Sequence, residues 1–381
     1  DGDQELLLDF DNALALDAVI DLIRNRHELL LTELYPAPDE LCATGPEGRF
    51  VHELIVPFTR RTPASAAVEQ PKTPSRLVAR TFPPGSGWRY AKFYSGTATA
   101  DRVLLEELAP IAADAVASGA ARRWFFIRYS DPAWHLRVRF QGDPRQLRAE
   151  VQPELERAGE RLIGGGIAWK VQFDTYEREI ERYGGPEAIE LIEEIFFRDS
   201  EAAVDLLASC SGDAAGAMRG PLMAAGIDAL FADFGHDPVA RLKLAEASRD
   251  HFARQYQYEA LREPLADRFR RDRQTFQRLL DDPMSVPALK QRSEAIAGSV
   301  AELTARERRG RLQLPLQTIL PSLVHMFVNR LSRSAGPEHE LVLYDYLVQL
   351  YRSQLARNGS RSPRAQEAKA ATNRAAMLQG R

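Results

Sequence analysis

Residues 124–140, Trp-Phe-Phe-Ile-Arg-Tyr-Ser-Asp-Pro-Ala-Trp-His-Leu-Arg-Val-Arg-Phe, predict two β-strands joined by a Ser-Asp-Pro turn. We expect the strands over 123–130 and 134–141. In the second strand apolar and basic residues alternate, and successive side chains of a strand point to opposite faces. His135, Arg137 and Arg139 should therefore line one face, while the apolar residues between them face a core.

Further elements on both sides of this hairpin give a βαββαβ order, which is that of a ferredoxin-like unit. A strand over 88–95 and a helix over 100–118 precede it, and a helix over 144–163 and a strand over 167–175 follow it. Asp143-Pro144 suits a helix start, because Asp can cap free N–H groups and Pro is tolerated in the first turn. Helical patterns then dominate from 186 to about 355. We predict an α+β fold, a ferredoxin-like sheet unit followed by a mostly helical bundle.

The first sixty residues are too short to close a core of their own. Strands are expected over 5–10, 28–34 and 50–58, and an amphipathic helix over 14–24. The stretch 60–84 is rich in Pro, Ala, Ser and Thr, which is typical of an extended linker or a wrapping arm. We therefore expect a domain end at 1–62, a linker at 63–86, the main domain at 87–357 and a loose tail at 358–381. The opening at Asp1, without Met, suggests a piece of a longer protein.

Composition narrows the classes of function. With 50 basic and 54 acidic residues the net charge is only -4, so the chain as a whole has no attraction for nucleic acid or anionic membrane. Cys42 and Cys210 have no CxxC spacing, which argues against a disulfide scaffold or structural zinc and fits a reducing cytoplasm. No signal peptide and no apolar run of about 20 residues is present. Hydrolase elbow, P-loop, HExxH and dinucleotide motifs are absent from the sequence.

The first candidate site is the basic face of the second strand. Its three potential cations repeat about every 6.6 to 6.8 Å, so their repulsion should be offset by an anion or by carboxylates. A polar face in water is the commoner explanation for an alternating strand. Arg128 on the neighbouring strand could face the same surface, and arginine is suited to a bidentate grip on a carboxylate. This favours an anion site.

The second candidate is residues 174–185, Asp-Thr-Tyr-Glu-Arg-Glu-Ile-Glu-Arg-Tyr-Gly-Gly, where the last strand of the sheet gives way to helix. If its centre is helical, Glu179 and Arg182 are i, i+3 neighbours. A surface Glu/Arg pair of little energetic value is the plain explanation. That explanation is strong for Arg178 and weaker for Arg182, which precedes Tyr183 and a Gly-Gly turn.

The third candidate is an apolar helix over 315–333 that carries His325, with Asn329 one turn further on. A histidine on such a helix is a satisfied core residue in roughly two cases out of three. The alternative is a general acid or base, since histidine titrates near neutral pH.

Four ordered motifs make residues 88–351 resemble the C-terminal domain of nisin-type class I lanthipeptide dehydratases, which also occurs alone in thiopeptide biosynthesis. They are Trp-Arg-Tyr-Ala-Lys-Phe-Tyr from 88, Phe-Ile-Arg-Tyr-Ser-Asp-Pro from 126 with His-Leu-Arg-Val-Arg-Phe from 135, the segment 176–185, and Pro-Ser-Leu-Val-His-Met-Phe-Val-Asn-Arg from 321. The first sixty residues also resemble the end of the preceding glutamylation domain, at 6–10 and 52–58. Four motifs in order are hard to obtain by chance.

The resemblance implies a function. In that family one domain esterifies Ser or Thr of a precursor peptide with glutamate from glutamyl-tRNA, and the C-terminal domain eliminates the glutamate, leaving dehydroalanine or dehydrobutyrine. The implied partners are the precursor peptide, a glutamylation domain using glutamyl-tRNA, a lanthipeptide cyclase and a second copy in a homodimer, with no cofactor and no metal. The implied catalytic residues are Arg137, Arg139, Arg182, His325 and Glu179, and the implied substrate-binding residues are Arg128, His135 and Tyr183. The group that takes the α-hydrogen is left open.

Two other functions compete. A thiopeptide pyridine synthase, which joins two dehydroalanines, resembles the same domain; the His-Leu-Arg-Val-Arg pattern and the glutamylation-domain segment favour elimination. A peptide- or RNA-binding module is the other class, since βαββαβ folds often display aromatic residues to RNA. The strand aromatics lack the Gly-rich RNA-binding consensus, and the acidic balance of the chain offers no track for phosphates, which disfavours this function.

Overall fold

The computed structural model describes residues 8–24, 35–37, 40–50, 52, 54, 56, 77–210, 216–256, 258–333 and 336–360. Its contacts divide the chain into two units, Asp1–Glu69 and Gln70–Arg381. In the first unit, helix α1 (Ala13–Ile23) has Asn12 as its cap, and β1 (Ala43–Gly45) pairs with β2 (Gly48–Phe50). The helix confirms the expectation for 14–24. The strand expected over 28–34 and most of that over 5–10 lie outside the described residues, whereas His52, Leu54 and Val56 are not in a strand.

The sheet of the second unit has the predicted order of elements. Its strands are β4 (Trp88–Ser95), β5 (Arg123–Tyr129), β6 (His135–Gln141) and β7 (Ala168–Phe173), arranged β5-β6-β4-β7 with every pair antiparallel. Helix α2 consists of Ala100–Arg102, a π-helical Val103–Leu108 and Ala109–Ala117; α3 consists of Pro144–Gln146, a π-helical Leu147–Val151 and Gln152–Gly164. This order is that of a ferredoxin-like split βαβ unit, so the predicted α+β class is confirmed.

Local signals account for the boundaries of α3. The Asp143 carboxylate accepts hydrogen bonds from the backbone N–H groups of Arg145 and Gln146 at 2.9 and 3.2 Å, and Pro144 occupies the first turn. At the other end Gly166 has φ +68°, a left-handed conformation that glycine adopts without strain. Both ends agree with the expectation from sequence.

Helices follow the sheet, as predicted. They are α4 (Ile189–Ser209), α5 (Arg219–Asp233), α6 (Pro238–Ala253), α7 (Tyr258–Asp281), α8 (Pro287–Arg308), α9 (Leu316–Leu331) and α10 (Gly336–Ser360). The core of the second unit contains side chains of both the sheet and the helices that follow it. Phe196 of α4, for example, packs against Phe125 of β5 with ring centroids 5.5 Å apart. Among the described residues no helix is both long and apolar enough to cross a membrane.

The described end of segment 63–86 packs on the second unit. Strand β3 (Thr81–Phe82) pairs antiparallel with β8 (Tyr176–Glu177), and the carbonyl of Ala79 accepts a hydrogen bond from Arg178 at 3.1 Å. These contacts match the wrapping-arm alternative for residues 77–82. The four domain ranges remain predictions, and the tail beyond 360 lies outside the described residues.

Candidate functional site

The basic face predicted for β6 is present. Strand register places His135, Arg137 and Arg139 opposite Tyr94, Lys92 and Tyr90 of β4 and opposite Tyr129, Ile127 and Phe125 of β5. Directly opposite residues of an antiparallel pair share a face. The opposite face of β6 carries the buried residues Leu136, Val138 and Phe140.

A cavity of about 500 Å³ lies over one end of this face and brings the three candidate segments together. It is bounded by β5, β6, the turn after β8, helices α4 and α9, and the start of α10. Its lining includes Arg137, Arg139, Glu179, Arg182, Tyr183 and His325. Seven of the eight residues that the sequence singled out thus line one cavity, Arg128 among them, and His135 does not.

Arg139 is a buried cation with no anionic partner among the described residues. It is 7% exposed, and its guanidinium lies 4.5, 5.2 and 4.8 Å from the ring centroids of Tyr90, Phe125 and Tyr176. Its Nε is buried without a hydrogen-bond partner. Aromatic faces attract a cation but do not replace a counter-ion. The side chain is therefore prepared to bind an anion that enters the cavity.

Arg137 is held at the cavity wall by a stacked ring and a histidine. Its guanidinium lies 3.4 Å from the ring centroid of Tyr129, and its Nε donates to His135 Nε2 at 2.9 Å. His135 Nδ1 lies 2.7 Å from the carbonyl oxygen of Ala133, so Nδ1 carries the proton. Burial lowers the pKa of His135, which keeps the ring neutral. His135 orients Arg137 in this way and does not itself line the cavity.

Arg182 and Glu179 form an ion pair of 2.9 Å at the cavity, although residues 178–188 are irregular backbone and turns and not the helix considered from the sequence. Burial acts to lower the pKa of Arg182, but Tyr183 and Glu179 outweigh it and the net shift is upward. Burial raises the pKa of Tyr183 to about 12, so its hydroxyl remains protonated near neutrality. The cavity lining also holds the cations Arg137 and Arg139 and the carboxylates Glu177 and Glu338, so positive and negative side chains are nearly balanced around it.

The Gly-Gly turn after Tyr183 fixes this loop against α9. Gly184 and Gly185 have φ +87° and +94°, and a Cβ atom on Gly184 would lie 2.6 Å from Ile319 Cδ1. Positive φ and close approach both require glycine here. The turn thereby holds Arg182 on the same side of the molecule as the helix of His325.

His325 faces the cavity and is not enclosed in the core. Its side chain is 30% exposed, and its Nδ1 lies 2.5 Å from Oε1 of Glu340, which is 2% exposed. The core-histidine alternative is therefore wrong for this residue. Glu340 was missed by sequence reasoning; its only signal was a carboxylate directly before the apolar run that begins at Leu341 in α10.

Arg128 does not face the same surface as Arg137 and Arg139, so that expectation is wrong. Register pairs it with Leu136, whose side chain is on the opposite face of the sheet. Its side chain, 2% exposed, donates to Asp101 at 2.6 Å and to the Arg330 carbonyl at 2.9 Å. The surface-pair explanation for Arg178 is also wrong, because Arg178 makes a buried bidentate pair with Glu193, with both distances 2.7 Å.

Across the parts of the chain that are described, no group of three or more His, Cys, Asp and Glu side chains is arranged to hold a metal ion.

Comparison with known proteins places this site in a family. The profile of the lantibiotic biosynthesis dehydratase C-terminal family matches residues 88–351. The subtilin biosynthesis protein SpaB of Bacillus subtilis is 29% identical over 213 residues, covering 52% of this chain and 20% of SpaB. The nisin biosynthesis protein NisB of Lactococcus lactis subsp. lactis is 26% identical over 214 residues, covering 54% and 21%. The chain thus spans about a fifth of the length of these two relatives.

Solved structures also resemble this chain. The tRNA-dependent lantibiotic dehydratase MibB from Microbispora sp. 107891 superposes with a TM-score of 0.59 and 25% identity, over 75% of this chain and 29% of MibB. The pyridine synthase TbtD from thiomuracin biosynthesis gives a TM-score of 0.53 at 16% identity, over 72% and 98%, a likeness of fold alone. Since the family profile covers more than half of the chain, and includes every residue of the cavity described above, the chain belongs to the lantibiotic biosynthesis dehydratase C-terminal family.

Proposed function

We propose that this chain eliminates glutamate from glutamylated Ser or Thr of a ribosomal precursor peptide, leaving dehydroalanine or dehydrobutyrine in lanthipeptide biosynthesis. The observation that carries the proposal is Arg139, a buried arginine that has no counter-ion in the described part of the chain, in the same cavity as His325. An anionic leaving group would supply the missing charge. Membership of the dehydratase family supports the same reaction class.

The chemistry assigns a task to each side chain. A base removes the α-hydrogen of the esterified residue, the Cα=Cβ double bond forms, the Cβ–O bond breaks, and glutamate departs with the electron pair as a carboxylate. Negative charge develops first on the peptide carbonyl and then on the leaving group. We assign charge stabilisation and leaving-group binding to Arg137, Arg139 and Arg182, and proton transfer to His325.

The remaining residues support this set. Glu179 holds Arg182 through an ion pair, and Tyr183 offers a protonated hydroxyl at the wall. His135 orients Arg137. Arg128, through Asp101 and α9, holds the helix of His325 on the sheet and acts on substrate only indirectly.

The proposed function also implies partners for this chain. The glutamylated peptide would come from a glutamylation domain that uses glutamyl-tRNA, of which 1–62 would be the end. A lanthipeptide cyclase acting on the product, a homodimer and a cytoplasmic location are part of the same proposal.

The direct test is mass spectrometry of a synthetic precursor peptide carrying one glutamyl-Ser ester, incubated with the full chain. We expect loss of glutamate to leave dehydroalanine, and the exposed-surface variant Arg157→Gln should act like the wild type. An ester that stays intact, even when a glutamylation domain is added in trans, would contradict elimination. Ring formation from a peptide with two dehydroalanines would instead favour the pyridine synthase.

A further inference from the structure

We propose that Glu340 is a positioning residue for His325, fixing the imidazole proton on Nδ1 so that Nε2 takes the α-hydrogen of the substrate. This rests on the proposed function and goes beyond it by naming the base and the residue that orients it. The reacting proton would pass from the substrate Cα to Nε2, and the electrons of the C–H bond would form the Cα=Cβ bond as glutamate leaves.

The geometry of the pair defines the tautomer. His325 lies on α9 and Glu340 near the start of α10, and Nδ1 and Oε1 are 2.5 Å apart. An ionised carboxylate only accepts hydrogen bonds, so a neutral His325 in this contact has its hydrogen on Nδ1 and its lone pair on Nε2. The glutamate is almost fully buried, whereas the imidazole borders the cavity. The contact therefore fixes the Nδ1 side of the imidazole, which is the side that faces the buried carboxylate.

An ionised Glu340 would also stabilise the protonated form of His325. When Nε2 takes a proton, the imidazolium forms beside a buried carboxylate, which stabilises it more than water would. Burial raises the pKa of Glu340 and outweighs the opposing electrostatic effects of His325 and of His251 on α6. Tyr344 on the same helix and Tyr256 also interact with this carboxylate.

A purely structural clamp between α9 and α10 is the competing explanation, and α10 supplies a matched control. Asp345 is also buried and accepts a hydrogen bond from Tyr258 of α7 at 2.5 Å, but it does not line the cavity. Loss of either carboxylate should weaken helix packing. Only loss of Glu340 should change the protonation of His325.

The first experiment is ¹⁵N NMR of the full chain labelled at histidine, with the His325 signals identified by their absence in His325→Asn. We expect the Nδ1–H tautomer in the wild type and in Asp345→Asn, and a mixture of tautomers in Glu340→Ala. An Nε2–H tautomer in the wild type would overturn the proposal. This readout does not require turnover, so it stands even if glutamate elimination is not found.

The second experiment is kinetic, on the glutamyl-Ser peptide. Glu340→Gln should lower kcat by about 10²-fold with KM changed less than about twofold, and Glu340→Asp should recover part of the loss. A kcat loss equal to that of Asp345→Asn, or no recovery in Glu340→Asp, would reduce Glu340 to a structural clamp.

Discussion

The side-chain amide of Asn329 forms a two-way hydrogen-bonded pair with the backbone of Arg128. Its Oδ1 accepts from the Arg128 N–H and its Nδ2 donates to the Arg128 carbonyl, both at 2.9 Å. Strand β5 is at the edge of the sheet, and this pair satisfies backbone groups there that have no neighbouring strand. Because Asn329 is one turn from His325, the pair fixes the position of α9, the helix that carries His325, against the sheet.

We predict that Asn329→Ala lowers both stability and elimination. Both backbone groups of Arg128 would lose a partner, at a cost of about 1–3 kcal/mol in the free energy of unfolding. His325 would then be held less firmly, and kcat should fall more than KM rises. Denaturant unfolding and peptide-elimination kinetics measure the two effects. A variant with full stability loss but wild-type kcat would separate Asn329 from the positioning of His325.

Arg139 gives a prediction in which stability and activity change in opposite directions. Arg139→Met keeps the side-chain volume and the ring contacts but removes a buried charge without a partner, so the free energy of unfolding should rise or stay equal, by up to about 2 kcal/mol. Elimination should fall by about 10²–10³-fold, since the developing charge loses its donor. Thermal unfolding and mass spectrometry of the accumulated glutamyl peptide test this.

The matched control for that prediction is Arg178→Met, which removes an equally buried arginine that does have a carboxylate partner, Glu193. It should be strongly destabilising, because it leaves Glu193 unpaired. If Arg139→Met were destabilised to the same extent, an undetected counter-ion for Arg139 would be implied.

Local sequence patterns were sufficient to predict much of the fold and part of the candidate site. The period-two alternation of β6 placed Arg137 and Arg139 on one face, and Asp143-Pro144 marked the start of α3 correctly. The side chain of Arg128 could not be placed, because its face depends on the register between β5 and β6, which the hairpin turn sets and composition does not. Glu340 meets His325 through the packing of two helices, and no spacing within either helix contains that information.

Asp101 gives a pH-dependent prediction. It accepts hydrogen bonds from Arg128 at 2.6 Å and Arg219 at 2.8 Å, and Arg333 lies 3.3 Å away. Burial would raise the pKa of Asp101, but Arg128 and Arg219 together bring it below the usual value of 3.8. A carboxylate with a lowered folded-state pKa contributes stability that is complete above its unfolded-state pKa and is lost as pH falls through the folded-state pKa.

Asp101→Asn should therefore cost about 1–3 kcal/mol of unfolding free energy near pH 7, since Arg128 is left buried without its charge partner. The difference between wild type and variant should stay constant down to about pH 4 and shrink below it. Because the guanidinium of Arg128 is already engaged by Asp101 and the Arg330 carbonyl, elimination at pH 7 should fall less than for Arg139→Met. Urea unfolding at a series of pH values measures the effect, and a difference that persists unchanged at pH 2 would show that the contribution of Asp101 is not electrostatic.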